Sequence, residues 1–208
     1  LQKNLLYFYE NSTFYLKCKN IERHLYYMKT LVIVESPSKA SKIQSYLGKD
    51  YIVMASKGHI TDLAKGGKYG LGVDINNNFK PRYVLMEDKL DILDNLISAA
   101  KNVDQIFVAS DPDREGEAIA WHLADRLEGV GKPIKRMVFN EIKKDKLQKA
   151  VKSVRDIDMN LFHAQEARRI LDRLVGFMAS PFLMNFFGPH LSAGRVQSVV
   201  TRMVVDRE

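Results

Sequence analysis

One cysteine, Cys18, is all the thiol chemistry this chain contains. It can form neither an internal disulfide nor a thiolate zinc cluster, so a reducing compartment is the default. Glycine-rich phosphate motifs are also missing. No Gly-x-x-x-x-Gly-Lys-[Ser/Thr] occurs, which disfavours a P-loop nucleotidase, and Gly66-Gly-Lys-Tyr-Gly-Leu-Gly72 lacks the Gly-x-Gly-x-x-Gly spacing of a dinucleotide fingerprint. That run reads as a mobile surface loop. Residues 1–27 contain neither the small-residue cleavage site of a signal peptide nor an apolar run long enough to span a bilayer, and no membrane partner is expected. What is present, 46% apolar and 27% charged residues, describes a soluble globular chain of one domain or two small ones. The 32 Lys+Arg against 25 Asp+Glu give a charge of +7, which permits binding to polyanions but is equally a solubility feature.

Seven aromatics crowd residues 1–27 without a sustained period, and this stretch reads either as translated upstream sequence with Met28 as the natural start, or as a short helix packed on the domain. From Thr30 onward strand and helix signals alternate. Leu31-Val-Ile-Val34 is a β-branched run of the kind buried in parallel sheets, and Ser36-Pro37 supplies a helix N-cap followed by proline at the first helical position. A helix to about Leu47, a strand over 51–55, a long Gly- and Asn-rich loop over 57–82, helix 88–101, strand 104–109, helix 115–127, strand 134–139 and helix 142–152 follow. This pattern predicts an α/β fold with a mostly parallel sheet between helices. After Val154 the strand signals stop. Apolar residues at Ala164, Ala167, Leu171, Leu174 and Met178 predict a helix over 159–178, and Val196, Val199, Val200, Met203 and Val204 repeat the stripe. These helices are too few to close a core of their own and read as the start of a larger helical domain.

The most informative stretch is Asp111-Pro-Asp-Arg-Glu115-Gly-Glu117, directly after an apolar strand and before a helix. Ligand chemistry in open α/β sheets sits at the carboxyl ends of strands, where Glu35 also lies. If the two strands are neighbours, Glu35, Asp111, Asp113 and Glu115 converge. Two like charges 4 Å apart repel by about 4 kcal/mol at an effective dielectric of 20, so such a group calls for a raised pKa or a cation, and an all-oxygen set suits Mg²⁺. The plainer alternative is that one or two of these acids cap the following helix. Glu117 falls inside that helix and is not expected to be a ligand.

On the helix over 159–178, Gln165, Arg168, Arg169 and Asp172 share a face opposite the apolar stripe; Arg168 and Arg169 can each pair with Asp172. Taken alone, this is a solvated face with helix ion pairs. Ser192-Ala-Gly-Arg-Val-Gln-Ser198 shifts the balance: Ser192 is expected to cap the last helix, Ala193 and Gly194 leave room for a backbone or phosphate, and Arg195 and Gln197 add donors around Val196. Phe177 either stacks a base or belongs to a core. Lys39 occupies the first turn of a helix, where a cation opposes the dipole, which points to work with phosphate. His59 is either a DNA contact or an ordinary satisfied histidine, and Arg114 is either a phosphate clamp or local charge compensation.

Leu31-Val-Ile-Val-Glu-Ser-Pro-Ser-Lys-Ala40, Gly58-His-Ile60, Ser110-Asp-Pro-Asp-Arg-Glu-Gly-Glu-Ala118, Phe139-Asn-Glu141, Gln165-Glu-Ala-Arg-Arg-Ile-Leu-Asp-Arg-Leu-Val-Gly176 and Ser192-Ala-Gly-Arg-Val-Gln-Ser198, in this order, resemble type IA DNA topoisomerases. The likeness covers 28–208 and is closest to the bacterial topoisomerase I group. It implies a Toprim domain over 28–154 with a small mostly parallel sheet between helices, then part of an α-helical domain over 155–208 that forms a single-strand DNA groove. Residues 1–27 match nothing in the family. The resemblance further implies ATP-independent relaxation of negative supercoils through a 5′-phosphotyrosyl link, with Mg²⁺-assisted resealing. By motif, Glu35 would act as acid/base and help hold the metal with Asp111, Asp113 and Glu115. Lys39 would stabilise or protonate the leaving 3′-oxygen. His59, Arg114, Arg168, Arg169, Asp172, Phe177, Ser192, Ala193, Gly194, Arg195, Val196 and Gln197 would meet DNA. Where many relatives carry Tyr and Trp, this chain has Phe177 and Met184. None of its tyrosines sits in the family's nucleophile motif, so this chain alone is expected not to cleave DNA. A cytoplasmic, nucleoid-associated monomer is implied. A Toprim nuclease or primase-like enzyme, and a non-enzymatic basic nucleic-acid module, are the competing readings.

Overall fold

The computed structural model describes residues 28–66 and 70–208; the aromatic stretch 1–27, with both of its readings, lies outside the described residues. Four strands form the central sheet: β1 (Thr30–Val34), β2 (Tyr51–Ala55), β7 (Gln105–Val108) and β8 (Ile134–Arg136), ordered β2-β1-β7-β8 and all parallel. Every residue of β1 is buried, as a central strand covered on both faces requires. The pleat divides its side chains. Leu31 and Ile33 join Ile106 and Val108 on one face, under α2 (Leu90–Lys101) and α3 (Arg114–Leu127), which contribute Leu93, Leu96, Ile119 and Leu123. Val32 and Val34 join Phe107 and Ala109 on the other, under Ile43 of α1 (Pro37–Leu47) and Leu147 of α4 (Lys144–Lys152). Helix α1 starts as its sequence predicts: Ser36 Oγ accepts the Ser38 amide hydrogen, and Pro37 takes the first turn.

The 57–82 segment departs from the expected loop. It holds β3 (Thr61–Leu63), β4 (Val73–Asp74) and β5 (Lys80–Pro81); β3 pairs antiparallel with β6 (Tyr83–Leu85), and β4 with β5. Strands of two or three residues are too short to display a period, so the Gly and Asn content dominates the reading. Leu63, Leu71 and Val73 form a third small core against Ile170 and Leu174 of the next helix, which thereby docks on the sheet domain.

That helix, α5, runs over Met159–Phe187 and not to about Met178 as expected. Asp158 caps it, accepting from the Asn160 and Leu161 amides. Pro181 lies inside the helix, which runs through it to the cap at Gly188. One window of α5 is long and apolar enough, by length and composition alone, to cross a bilayer. Its charged residues Asp172 and Arg173 are bonded to neighbouring elements. Helix α6 (Arg195–Val205) begins at Gly194, not at Ser192, whose hydroxyl instead meets Gln197 Oε1 at 3.4 Å. None of its residues is buried, and its apolar stripe at Val196, Val199, Val200, Met203 and Val204 stays open.

The core identifies a testable contrast. Leu123→Ala, at a fully buried position of α3, is expected to lower unfolding free energy by about 2–5 kcal/mol, while Leu171→Ala, exposed on α5, should stay within about 0.5 kcal/mol; denaturant titration reads both.

Candidate functional site

Because β1 and β7 are hydrogen-bonded neighbours, their carboxyl ends bring Glu35 against the 110–113 loop. The Asp111 amide donates to Glu35 Oε1 at 2.5 Å, and Lys39 Nζ, from the first turn of α1, donates to Asp111 Oδ1 at 2.5 Å. Glu35, Lys39 and Asp111 are thus one bonded group drawn from two strand ends. Asp113 takes the plainer role, capping α3 by accepting the Gly116 amide at 2.7 Å. Glu115 turns to the far side of the loop, where His59 Nε2 meets Oε1 at 2.6 Å and Gln165 donates to Oε2 at 3.2 Å. Burial would raise the Glu115 carboxyl, but the His59 contact, the Gln165 bond and the Arg169 charge hold it below the ordinary glutamate value. Arg114 lies exposed between them at the start of α3.

The four carboxylates therefore line one edge without closing into a cage: among the described residues no three acidic or imidazole groups are gathered as a ready-made metal centre. The donor set still fits a hard divalent cation. It is all oxygen, and the Asp111 and Glu115 side chains remain about half exposed. Mg²⁺ needs only one or two carboxylates and keeps several waters. Gly116 makes this loop possible, since a Cβ there would lie 2.1 Å from the Asp111 carbonyl oxygen.

Behind the loop lies a group that sequence reasoning missed. Glu117, 1% exposed, accepts Arg136 Nε at 3.0 Å, the Arg155 guanidinium at 2.9 and 3.0 Å on its two oxygens, and the Asp158 amide at 2.6 Å. Burial raises its pKa; the bonds from Arg155 and the Asp158 amide, with the Arg136 charge, more than reverse this and leave it lowered. Arg136, fully buried, spends its remaining donors on the carbonyls of Val108, Met137 and Asp111. A glutamate in a helix's first turn is ordinary, and β8 has no spacing that marks Arg136 as its partner.

On α5, Arg168 approaches Asp172 at 3.9 Å, as its i, i+4 spacing predicts, but Arg169 does not pair with Asp172. Its guanidinium turns to Asp62 of β3 at 2.7 Å, and the place on Asp172 goes to Arg195 Nε, also at 2.7 Å. Asp62, a second residue missed, also receives Arg173 at 3.5 Å; burial pushes its pKa up, and the Arg169 bond, the Leu63 amide and both arginine charges bring it below the usual value. Phe177 is 44% exposed, with the Arg173 guanidinium 5.0 Å from its ring centre. Ala193 is fixed by bonds to and from Ser180, and Gly194 sits close to Gln197 Oε1, where a Cβ would approach to 3.1 Å. Arg195 Nη2 is buried without a partner, and Val196 is exposed.

A cavity of about 170 Å³ opens between the β3–β6 pair, α3 and α5, lined by His59, Thr61, Tyr83, Glu115, His122 and Arg169 among others. The Thr61 hydroxyl is buried without a partner. Burial, then the charges of His59 and Arg126, push His122 down to about 4, so it is neutral at pH 7.

Comparison with known proteins gives two family matches, a Toprim domain over residues 30–142 and a DNA topoisomerase segment over 156–208. The chain is 51% identical over 192 residues to DNA topoisomerase 1 of Synechococcus elongatus, covering 87% of this chain and 22% of that protein. Its structure is similar to full-length topoisomerase I from Thermotoga maritima, with a TM-score of 0.76 and 46% identity over 85% of this chain and 30% of that one. The chain thus spans about a fifth to a third of the length of these relatives.

Two outcomes follow from the geometry. An unfolded histidine titrates near 6.5 and folded His122 near 4, so between these values the unfolded chain binds more protons. Stability present above pH 6.5 is therefore expected to fall as pH drops to 4, by on the order of 3 kcal/mol from this residue. His122→Gln should flatten that part of a pH–stability curve; an unchanged slope would exclude His122 as its source. Gly116→Ala should cost about 1–3 kcal/mol through overpacking against Asp111. Thermal melts at fixed pH check this, and an unchanged midpoint would contradict the close approach.

Proposed function

The chain belongs to the type IA DNA topoisomerases, and from that membership we propose that it is the Toprim-bearing part of an enzyme that relaxes negatively supercoiled DNA without ATP. Transient single-strand cleavage through a 5′-phosphotyrosine would be followed by religation. The observation that carries the reading is the Glu35–Asp111 contact across the β1–β7 edge, with Lys39 bonded to the same aspartate. Acid, base and cation are held together at the carboxyl end of the sheet, where a sugar–phosphate backbone can reach all three. Glu35 would carry a proton to or from the scissile 3′-oxygen, and Lys39 Nζ would offset negative charge developing on it. Mg²⁺, held by Asp111, Asp113, Glu115 and Glu35, would neutralise phosphate charge and favour resealing.

The strand itself would lie along α5 and the turn before α6. Arg168, held by Asp172, and Arg195, bonded to the same aspartate through Nε, would offer guanidinium donors to successive phosphates. Ser192, Ala193, Gly194, Val196 and Gln197 shape the approach, while His59, Arg114 and Arg169 flank the carboxylate edge and Phe177 supplies an exposed ring. The partner is single-stranded DNA opened from negatively supercoiled duplex, and the full-length enzyme is read as a cytoplasmic, nucleoid-associated monomer. The helical match over 156–208 favours this over a Toprim nuclease or primase-like enzyme.

The test uses this chain first. Calorimetry should show Mg²⁺ binding that the double substitution Asp111→Asn, Asp113→Asn weakens, and a short oligodeoxynucleotide should bind without being cut or covalently trapped. Steady Mg²⁺-dependent degradation would support the nuclease, and Mg²⁺ binding indifferent to the double substitution would remove those two residues from the metal group. A longer product of the gene should relax plasmid in Mg²⁺ and leave protein on 5′ ends.

A further inference from the structure

The buried carboxylate of Glu117 touches neither the candidate cation nor the DNA path, yet it is bonded to the structural elements that carry each. Toward the carboxylate edge, Glu117 Oε2 accepts Arg136 Nε at 3.0 Å, and Arg136 Nη2 holds the Asp111 carbonyl at 2.7 Å. In the other direction, Glu117 Oε1 accepts the Asp158 amide at 2.6 Å, at the N-cap of α5. Arg155 grips both oxygens of Glu117 from the connecting segment, and its backbone pairs with that of Arg136. We propose that Glu117 is a positioning residue that couples the metal-binding edge to α5, so that cation and single-stranded DNA each strengthen binding of the other. This rests on the functional reading above.

Coupling of this kind requires rigidity. Glu117 and Arg136 are 1% and 0% exposed, and neither can surrender a bond to water. Arg136 is fixed by the Val108 and Met137 carbonyls as well as by Glu117, so the Asp111 carbonyl, Glu117 and the Asp158 amide are held in one relative placement. Glu117 in turn fixes the N-cap amide of the helix that carries Arg168 and Asp172. Coupling between two sites is a free energy and is reciprocal, which gives the proposal a quantitative signature. A second route between the same elements exists: Gln165 of α5 donates to Glu115, and Arg169 pairs with Asp62, both at partly exposed positions. The experiment separates the two.

Glu117 itself is a poor target, since removing a buried charge partner endangers folding. Arg155 is 40% exposed and supplies half of the bonds on Glu117, so Arg155→Met loosens the hub while leaving Arg136 in place. Asp158→Ala is the control. It removes the side-chain cap of α5 but keeps the amide bonded to Glu117. Mg²⁺ affinity would be followed by calorimetry with and without a short oligodeoxynucleotide, and oligonucleotide affinity by anisotropy with and without Mg²⁺, in the wild-type chain and both variants. In the wild type each ligand is expected to tighten the other by the same factor, about fivefold or more. Arg155→Met should bind Mg²⁺ alone within about twofold of wild type and show a clearly reduced coupling factor, because Glu117 keeps only its bonds to Arg136 and the Asp158 amide, whereas Asp158→Ala should retain the wild-type factor. Wild-type coupling in Arg155→Met would overturn the proposal in favour of the Gln165–Glu115 route or a direct cation–phosphate contact. No coupling in the wild type would overturn it as well. A wild-type chain that binds neither ligand would overturn the functional reading along with it, whereas binding of both without coupling would overturn only the role of Glu117.

Discussion

A buried carboxylate must be matched by donors on both oxygens, and Glu117 is matched from three segments distant in sequence. β8 supplies Arg136, the connection after α4 supplies Arg155, and the start of α5 supplies a backbone amide. Buried ion pairs contribute little net stability, because the desolvation of both charges offsets most of their attraction, but removing one partner costs several kcal/mol. What such a group does well is restrict geometry. Only one placement of β8, the acidic loop and α5 satisfies all four bonds on Glu117, and this placement sets where Asp111 presents its carboxylate.

The exposed acids resolve their electrostatics differently. Four carboxylates along one sheet edge would repel strongly if left to one another, and each instead has its own donor: the Asp111 amide for Glu35, Lys39 for Asp111, the Gly116 amide for Asp113, and His59 with Gln165 for Glu115. Lys39 is unfavourably placed for the dipole of α1, and its bond to Asp111 accounts for its position. A cation at this edge, as proposed, would compete with Lys39 for Asp111 and with His59 for Glu115.

Much of this was legible from sequence because it is local or periodic. The β-branched run of β1, the Ser36-Pro37 start of α1 and the acidic turn after β7 all obey short-range rules, and the parallel order of strands follows from alternating βα signals. Placing Glu35 near Asp111 needed one further step, adjacency of β1 and β7, which the sheet supplies. The misses are long-range or aperiodic. Asp62 and Arg169 are 107 residues apart, and Glu117 and Arg155 are separated by 38. No window of sequence contains either pair. The strands within 57–82 were hidden by their brevity, and the last two turns of α5 lie beyond the apolar stripe that ends at Met178.

The missed aspartate changes how the basic face works. Asp62 holds Arg169 and Arg173, and Asp172 holds Arg168 and Arg195, so the arginines form two clusters, each with two cations on one anion. Each cluster keeps one net positive charge, so a phosphate can be attracted without either aspartate being expelled. Holding a guanidinium in place before the ligand arrives reduces the side-chain entropy lost on binding. The clusters also face different surroundings: Arg169 and Asp62 line the cavity beside Glu115 and His59, whereas Asp172 and Arg195 join α5 to the turn before α6. Sharing a helix face in sequence is therefore a poor guide to sharing a task, because the acid that each arginine finds across space decides which way it points.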